Sequence, residues 1–251
     1  MENSIINVTE LNKKYYIFDK DYKILKWIFT GSGFCQEKKA IKNLSFSVNK
    51  GDVVGIIGKN GSGKSTLMQI VAGITYPTSG KVEVKGSVGA LINLSAGFNL
   101  DYTGRENIYY KGMLLGMDRA QVDVIIDPIT EFVELNEYFD LPLRMYSSGM
   151  AARLGFALAV FSNPDILVID EVFAVGDRSF QVKSKAKIIE LFRSGKSILF
   201  SSHSEQLVRE FCNKVLYMKN GVAIYYGDID EGFKLYNADI KLNMEKKVGT
   251  K

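Results

Sequence analysis

A strand–loop–helix pattern between residues 53 and 73 constrains the fold of this chain more than any other feature. The apolar run VVGIIG (53–58) ends in glycine, and the helical stretch STLMQIVAG (65–73) follows a few residues later. Residues 58–65 fit the pattern G-x-x-x-x-G-K-[ST], placed after a strand and at the start of a helix as the pattern requires. Short apolar runs of this kind are typical of parallel strands buried on both faces. The pattern therefore predicts an α/β fold.

The glycine-rich loop within this pattern predicts a phosphate site. Glycines let backbone N–H groups turn inward around phosphate oxygens, and the helix dipole adds positive potential at the same place. Lys64 is expected to reach the β- and γ-phosphates, and Ser65 is expected to hold Mg²⁺. The residues predicted to bind the nucleotide here are Gly58, Asn60, Gly61, Ser62, Gly63, Lys64, Ser65 and Thr66. The alternative is a flexible glycine loop, which the complete motif in its proper context disfavours.

Two further apolar runs extend the predicted parallel sheet. DILVID (165–170) and SILFSS (197–202) have the composition of strands buried on both faces. A helical stretch, MAARLGFALAVF (150–161), precedes the first of them and is stopped by Asn163-Pro164. Strands that alternate with helices in this way predict a parallel-sheet core.

Other segments add antiparallel and helical parts to that core. AIKNLSFSV (40–48) and KVEVKG (81–86) alternate apolar and polar residues, as half-exposed strands do. KVLYMKNGVAIYYG (214–227) predicts a hairpin around Asn220-Gly221. Residues 104–160 are mainly helical in pattern and interrupt the series of strands. We therefore predict an α/β core with a helical insertion and an antiparallel edge.

Polar residues follow two of the predicted core strands. Asp170 and Glu171 end the strand ILVID, at the edge where ligands of such sheets bind. Asp170 is expected to help hold Mg²⁺, and Glu171 to orient or deprotonate an attacking water. His203, the only histidine, follows another apolar strand and can hydrogen-bond a γ-phosphate. The alternatives are carboxylates that merely end a strand and a structural histidine, and the phosphate loop makes both less favoured.

Composition narrows the partners of the chain. The formal charge of +4 over 251 residues is mild, whereas nucleic-acid binding usually needs a strong basic stripe. The longest apolar runs, such as LGFALAVF (154–161), are far below the ~18–20 residues that span a bilayer. The start, MENSIINVTE, has no secretory signal pattern, and Cys35 and Cys212 lack metal-ligand spacing. We therefore expect a cytosolic protein that binds no nucleic acid and reaches a membrane only through a partner.

A short run of small polar residues, 147–149, precedes an apolar helix in MYSSGMAARLGFALAV (145–160), and we call this run the helix mouth. Ser147 or Ser148 can cap this helix. The order of phosphate loop, small-residue helix mouth, Asp-Glu strand and histidine resembles the nucleotide-binding subunits of ABC transporters. The family reads Leu-Ser-Gly-Gly-Gln at this mouth; here the serine and last glycine are kept as Ser147 and Gly149, and Ser148 replaces the first glycine. The resemblance implies that Ser147, Ser148 and Gly149 face the γ-phosphate held by a second subunit.

This resemblance also implies an architecture and an assembly. The implied fold is a P-loop ABC-type nucleotide-binding domain with a RecA-like parallel-sheet core, an antiparallel β subdomain and a helical subdomain over about 104–160. The implied assembly is a head-to-tail dimer of two copies with ATP and Mg²⁺ at the interface. In such a site Glu171, His203 and Lys64 are the expected catalytic residues.

The chain resembles one branch of the family in particular. TGRENI (103–108), YSSGMAARLGFALA (146–159) and IDEVFAVGD (169–177) look like the ATP-binding subunits that export O-antigen, teichoic acid and capsular polysaccharide. The resemblance covers about residues 5–227, and it implies two copies of a separate permease and a lipid-linked polysaccharide handled indirectly. The expected location is the cytoplasmic face of the cytoplasmic membrane.

The same resemblance assigns residues outside the main motifs. Asp177 occupies the position of an aspartate that crosses the dimer interface and contributes to the partner's nucleotide site. Tyr15 matches the aromatic that stacks on adenine, with Tyr16 and Phe34 as rivals. The usual glutamine that links the Mg²⁺ site to the helical insertion is missing, and Asn93 is its nearest counterpart.

Two segments lie outside these motifs. An insertion is expected at about 17–38, where residues 17–34 form an amphipathic pattern that suits either packing on the domain or contact with a permease or membrane surface. Residues 228–251 are expected to form one helix through Phe233, Leu235 and Tyr236, followed by a basic polar tail. A segment this short is below the ~40 residues at which unaided domains begin, so no separate carbohydrate-binding domain is expected in it.

Alternatives to polysaccharide export remain. The chain fits an ABC ATPase of another transporter class, such as an importer, or a soluble ABC ATPase without a permease. Soluble members usually carry two ATPase halves or long coiled-coil arms, which this sequence lacks. A P-loop kinase or GTPase would leave residues 146–153 unexplained.

Overall fold

The computed structural model describes residues 3–18, 36–170 and 176–248. The strands are β1 (Ser4–Ile17), β2 (Gln36–Asn49), β3 (Val53–Ile57), β4 (Ser79–Val84), β5 (Val88–Leu91), β6 (Ile166–Asp170), β7 (Ser197–Ser201), β8 (Lys214–Lys219) and β9 (Val222–Gly227). The α-helices are α1 (Lys64–Val71), α2 (Gly104–Leu114), α3 (Arg119–Val133), α4 (Ser148–Phe161), α5 (Arg178–Phe192), α6 (Glu205–Phe211) and α7 (Ile229–Val248). Short 3-10 helices lie at Asn136–Asp140 and Leu143–Met145.

The larger sheet has the strand order β5-β6-β7-β3-β8-β9. Its neighbours pair in parallel up to β8, and β9 returns antiparallel as the second strand of the predicted hairpin. The three apolar runs predicted as buried strands are confirmed as β3, β6 and β7, and β5 is an additional strand. Because these strands run in parallel, their carboxyl ends meet at one edge of the sheet.

Side-chain alternation gives the larger sheet an apolar core on each face. Val54 and Ile56 pack in the cluster that contains Leu67 and Met68 of α1. Val53 and Ile57, one position away along the same strand, belong to the cluster formed with the helices of the other face, including Phe156 and Phe180. Helices on both faces explain why the core strands read as continuous apolar runs instead of alternating ones.

The smaller sheet has the order β2-β1-β4 and is antiparallel throughout. Buried residues alternate with exposed ones in the second half of β2, and half-buried residues alternate with exposed ones at the end of β4, as predicted, because only one face packs on the core. At the far end of the β1–β2 pair, Ile17 and Gln36 are register partners. Both boundaries of the predicted insertion, 17–38, are therefore strand residues. Residues 19–35 of that insertion, and the rival aromatic Phe34, lie outside the described residues.

Helices α2, α3 and α4 form the predicted helical part around their own apolar cluster. Its fully buried members include Ile108, Val122, Ile129 and Leu154. Capping boxes start two of these helices, with Thr103 and Glu106 at α2 and with Asp118 and Gln121 at α3.

The last helix, α7, is longer than predicted. It runs through Val248, so the expected polar tail after Tyr236 is instead helical over most of its length. Phe233 is buried in the core cluster, and Tyr236 packs against it and against Tyr217 of β8. Among the helices within 3–18, 36–170 and 176–248, none combines the length and apolar composition needed to cross a membrane.

Candidate active site

The predicted phosphate loop connects β3 to α1 at the carboxyl edge of the larger sheet. Gly58 and Gly63 both have positive φ, at 148° and 104°. A Cβ on Gly58 would come within 2.2 Å of the Met218 carbonyl oxygen, and one on Gly63 within 2.6 Å of the Ala40 carbonyl oxygen. Both positions therefore need glycine for conformation and for close backbone approach. The loop therefore packs closely against the backbone of β2 and of β8.

Lys64 begins α1 and folds back over the loop. It is buried, with 7% of its surface exposed, and its Nζ donates to the Gly58 carbonyl oxygen at 2.7 Å. The ammonium group is thereby held inside the loop. Ser65 is exposed at the next helical position, and Thr66 is half-buried. The first turn of α1 thus presents a cation and a hydroxyl at a helix N-terminus, which favours anion binding.

Tyr15 of β1 shares a cleft of about 440 Å³ with the phosphate loop. The cleft is lined by Tyr15, Ile17, Lys38, Lys39 and Ala40 from the β1–β2 pair and by residues 60–66. The side chain of Tyr15 is partly exposed, and Lys13 Nζ lies 5.0 Å from the centre of its ring. The structure therefore brings the predicted stacking residue and the predicted phosphate ligands into one cleft. Tyr16, its neighbour on the strand, is not among the lining residues.

The other predicted polar residues lie where the strands of the larger sheet end. Asp170 is the last residue of β6 and the register partner of Ser201 in β7. His203 follows β7 by two residues and is exposed. Asn93 follows β5 by two residues, is exposed, and has φ of 50°. These three residues share the edge of the sheet that carries the phosphate loop, and Glu171 lies outside the described residues.

The helix mouth at 147–149 begins α4 as predicted. Ser147 is the N-cap, and its Oγ accepts a hydrogen bond from the Met150 N–H at 3.2 Å. Ser147 and Ser148 are exposed, and Gly149 is half-buried. None of these three described residues lines the cleft of the phosphate loop of the same chain. The hydroxyls at this helix start are therefore exposed and lie apart from that cleft.

Asp177 joins α4 to α5 within the chain. It is the N-cap of α5, where it accepts from the Phe180 N–H at 3.0 Å, and it pairs with Arg153 of α4 at 2.8 Å. The Phe180 N–H, and then the Arg153 guanidinium, hold the pKa of Asp177 below its usual range. Arg153 also lies over the Phe180 ring at 5.1 Å. Sequence reasoning missed this pair, which connects the helix mouth with the segment after β6.

Lys111 of α2 is a second residue that sequence reasoning missed. Its Nζ donates to the carbonyl oxygens of Leu94 at 3.2 Å and Ala96 at 2.9 Å, and it lies 4.3 Å from the centre of the Phe98 ring. Burial lowers the pKa of Lys111 to about 8. The lysine thus holds the loop that carries Asn93 against the helical part. No local sequence pattern marks this role, because its partners are backbone carbonyls.

Sequence comparison decides the family. Residues 41–174, more than half of the chain, match the family described as ABC transporter. The chain belongs to the ABC transporter family. The resemblance seen in the order of the motifs is therefore confirmed, and the relatives that match the chain include proteins named for teichoic acid export and for O-antigen export.

Three of these relatives differ in how much of their length the chain covers. "Teichoic acids export ATP-binding protein TagH" of Staphylococcus haemolyticus is 39% identical over 236 residues, which are 94% of this chain and 89% of that protein. TagH of Bacillus cereus is 43% identical over 239 residues, which are 95% of this chain but 43% of that protein. "O-antigen export system ATP-binding protein RfbB" of Klebsiella pneumoniae is 45% identical over 197 residues, 78% of this chain and 80% of that protein. The chain thus spans less than half the length of the Bacillus relative.

Solved ABC transporter structures share the fold. An ATP-binding subunit of an ABC transporter superposes with a TM-score of 0.70 at 19% identity, covering 93% of this chain and 94% of that one. A dimeric ATP-binding cassette in a post-hydrolysis state, bound to ADP and Pi, superposes with a TM-score of 0.67 at 20% identity, covering 89% and 98%. At these identities the likeness concerns the fold, and it confirms the predicted fold class.

Proposed function

We propose that this chain binds and hydrolyses ATP at the cleft formed by the phosphate loop and Tyr15. One observation carries the proposal: the loop is held in a conformation that only glycine fits at Gly58 and Gly63, with the Lys64 ammonium inside it. Backbone N–H groups and a buried cation suit the phosphates, and an aromatic ring at the other end of the cleft suits the adenine. Gly58, Asn60, Gly61, Ser62, Gly63, Lys64, Ser65 and Thr66 are the proposed phosphate ligands.

The residues at the carboxyl edge fit a divalent cation. Ser65 offers an exposed hydroxyl, Asp170 a carboxylate and Asn93 an amide oxygen, and hard oxygen ligands of this kind are what Mg²⁺ prefers. Bound Mg²⁺ would neutralise charge on the β- and γ-phosphates. Glu171 is the proposed group that orients or deprotonates the attacking water, and His203 the proposed γ-phosphate contact.

The complete site is proposed to need a second copy of the chain. Ser147, Ser148 and Gly149 lie outside the cleft of their own chain, yet they present an anion-binding helix start. A head-to-tail dimer would bring this helix start onto the nucleotide of the partner, with Asp177 beside it. Two nucleotides would then be enclosed between the two copies.

The biological role we propose is to power export of a lipid-linked polysaccharide of the teichoic acid, O-antigen or capsule type. The support is the identity of 39–45% with relatives named for teichoic acid and O-antigen export, over most of the length of two of them. The chain would work at the cytoplasmic face of the cytoplasmic membrane, as two copies bound to two copies of a permease. An ABC ATPase of another transporter class, or a soluble one, is the alternative.

Substitution of Glu171 tests the chemistry. In Glu171→Gln, ATP binding should be kept while turnover falls by roughly 10²–10⁴-fold, the usual scale of a positioned acid or base. Binding is measured with a fluorescent ATP analogue and turnover by phosphate release. The matched control is Lys64→Met, which should lose nucleotide binding itself. Near-normal turnover in Glu171→Gln would contradict the assignment.

Depletion of the protein in cells tests the biological role. Surface polysaccharide should fall while its lipid-linked precursor accumulates inside the cell, and an active-site Lys64→Met copy should fail to restore export. Normal surface polysaccharide after depletion would favour the alternative classes.

A further inference from the structure

A small polar cavity lies between the phosphate loop and the C-terminal helix. Its volume is about 110 Å³. Lys59 and Ser62 of the loop line it, and Asp239 and Asn243 of α7 line it from the helix. The last helix of the chain therefore comes close to the proposed nucleotide site, although more than 150 residues separate the two in sequence.

Asp239 anchors α7 to the end of β8. Its two carboxylate oxygens lie 2.7 and 2.6 Å from Lys219 Nζ, and it also accepts a hydrogen bond from the Tyr217 hydroxyl. Side-chain exposure of 20% for Asp239 makes this ion pair more shielded than the other surface pairs of α7. Charge-assisted hydrogen bonds of this type are roughly twice as strong as neutral ones. One side chain of α7 thus fixes two side chains of the strand.

The same end of β8 supports the phosphate loop through backbone contacts. Tyr217 is the register partner of Ile57, the last residue before the loop. The Met218 carbonyl oxygen lies so close to Gly58 that a Cβ there would meet it at 2.2 Å. Beyond the strand, the Gly221 N–H donates to the Ser62 carbonyl oxygen at 3.0 Å. A shift of β8 or of its turn would therefore move the loop directly.

The negative charge of Asp239 also attracts the phosphate loop across the cavity. Hydrogen bonds from Lys219 and Tyr217 are the main cause that lowers the pKa of Asp239, and the positive charge of Lys59 contributes to the lowering. Lys59 is a loop residue, so the Asp239 carboxylate attracts the loop as well as the strand. Ser62 is only 4% exposed, and its Oγ has no hydrogen-bond partner among the described residues. The loop thus contributes a buried polar residue, and not an apolar one, to the lining of this cavity.

We propose that Asp239 is a positioning residue for the phosphate loop and acts through Lys219 and the end of β8. The proposal rests on the proposed function, since the benefit of a fixed loop is tighter binding of the nucleotide. Among the described residues, the hydrogen bonds and ion pairs of the Asp239 side chain go to Tyr217 and Lys219 and not to a proposed ligand of the phosphates. Its role is to restrict the loop to the conformation in which the backbone N–H groups converge.

Hydrogen exchange tests the proposal without any nucleotide. In Asp239→Asn, amides of residues 59–64 should exchange at least about threefold faster than in the unchanged full chain, because local opening becomes easier. The matched control is Glu231→Gln on the same helix, whose exposed pair with Lys234 at 3.3 Å faces no loop residue. Equal exchange in Asp239→Asn and in the unchanged chain would overturn the proposal.

Nucleotide binding gives a second, separate readout. Asp239→Asn should raise the Kd for a fluorescent ATP analogue and the KM for ATP by about 3–10-fold, with kcat at saturating ATP within about twofold. Glu231→Gln should change neither. If the unchanged chain bound no ATP, the proposed function would be wrong. The hydrogen-exchange experiment would still test the role of Asp239, because it uses no nucleotide. If the unchanged chain bound ATP and Asp239→Asn bound it equally well, only the inference would fail.

A double-mutant cycle tests the route through β8. Lys219→Met should weaken binding by a similar factor, and the double variant should be no weaker than either single one, because both remove the same link. If the loss of binding in the double variant equalled the product of the losses in the two single variants, the proposed route through β8 would be wrong. A thermal melt accompanies each variant; if Asp239→Asn is unfolded, Lys219→Met, which breaks the same ion pair from the side of β8, takes its place with the same expectations for exchange and binding.

Discussion

Lys111 shows how one half-buried side chain can matter without any chemistry of its own. Its ammonium group replaces water with two backbone carbonyls and an aromatic face, and burial lowers its pKa from 10.5 to about 8. Folding therefore opposes the charged form of this lysine. The contact that holds the loop bearing Asn93 against α2 therefore costs free energy while Lys111 is charged.

This balance predicts a pH dependence of stability. A folded-state pKa below the unfolded value means that the unfolded chain binds more protons between pH 8 and 10.5. The contribution of Lys111 to the free energy of unfolding is therefore complete above 10.5 and is lost as the pH falls through about 8. The difference in unfolding free energy between the unchanged chain and Lys111→Met should rise by roughly 1–3 kcal/mol across this window.

The measurement is urea unfolding of both chains at several pH values between 7 and 11, roughly one unit apart, a range chosen around the two pKa values. Groups other than Lys111 titrate in both chains and cancel in the difference. A difference that stays flat with pH would show that Lys111 is not titrating in this window.

At the scale of elements, helix α4 connects the helical part to the larger sheet. Gly155 lies inside this helix, and a Cβ there would come within 2.0 Å of the Leu94 carbonyl oxygen. The helix therefore packs directly on the backbone of the loop after β5. Lys111 of α2 donates a hydrogen bond to the same carbonyl oxygen, so α2 and α4 both contact this loop.

Gly155→Ala should destabilise the protein although alanine is the better helix former. The intrinsic gain is about 1 kcal/mol, but the clash with a backbone carbonyl is expected to cost more, because neither helix nor loop can move freely. We expect a net loss of roughly 1–3 kcal/mol in the free energy of unfolding.

Gly149→Ala is the matched control for this change. It lies in the first turn of α4, and its new Cβ would meet nothing nearer than Ser147 Oγ at 3.8 Å. Its unfolding free energy should stay the same or rise by up to about 1 kcal/mol. Equal stability of Gly155→Ala and the unchanged chain would show that the backbone at Leu94 can move to accommodate the added methyl group.

At the scale of the whole molecule, the proposed dimer predicts different effects on binding and on turnover. Ser147→Arg places a bulky cation at the exposed mouth of α4, outside the cleft of its own chain. ATP binding to the monomer should survive, whereas hydrolysis should be abolished because the two copies cannot close. Loss of monomeric ATP binding would contradict the contribution in trans.

Light scattering with ATP makes this test direct. In a Glu171→Gln background the chain should form an ATP-dependent dimer, and the addition of Ser147→Arg should leave it monomeric. Ser194→Arg, which puts the same charge on an exposed serine beyond α5, is the control and should still dimerise.

The parts of the fold that the sequence predicts are those in which a local pattern decides the structure. The core strands are predicted because both faces are buried, and the β8–β9 hairpin because Asn220 and Gly221 both adopt positive φ, as its turn requires. The cap at Ser147 is likewise local, and it is confirmed.

What the sequence does not predict depends on distant contacts. Strand β5 is only four residues long, and its place at the edge of the sheet comes from pairing with β6. The pairs Arg153–Asp177 and Lys219–Asp239 join elements that have no common pattern. Roles given to the site residues by resemblance, including those of Glu171, Asn93 and Asp177, stay predictions.

The pairing of Ile17 with Gln36 also bears on how far the length of the chain between them can vary. Partners across an antiparallel pair lie only about 5 Å apart, so the two strand ends that border the interval 19–35 lie close together. Each doubling of the length between two such points costs only about 0.6 kcal/mol in closure entropy. The interval at 19–35 is therefore a natural position for insertions, deletions and grafted sequences, which lineages or protein engineers can exchange while the strands on either side keep their register.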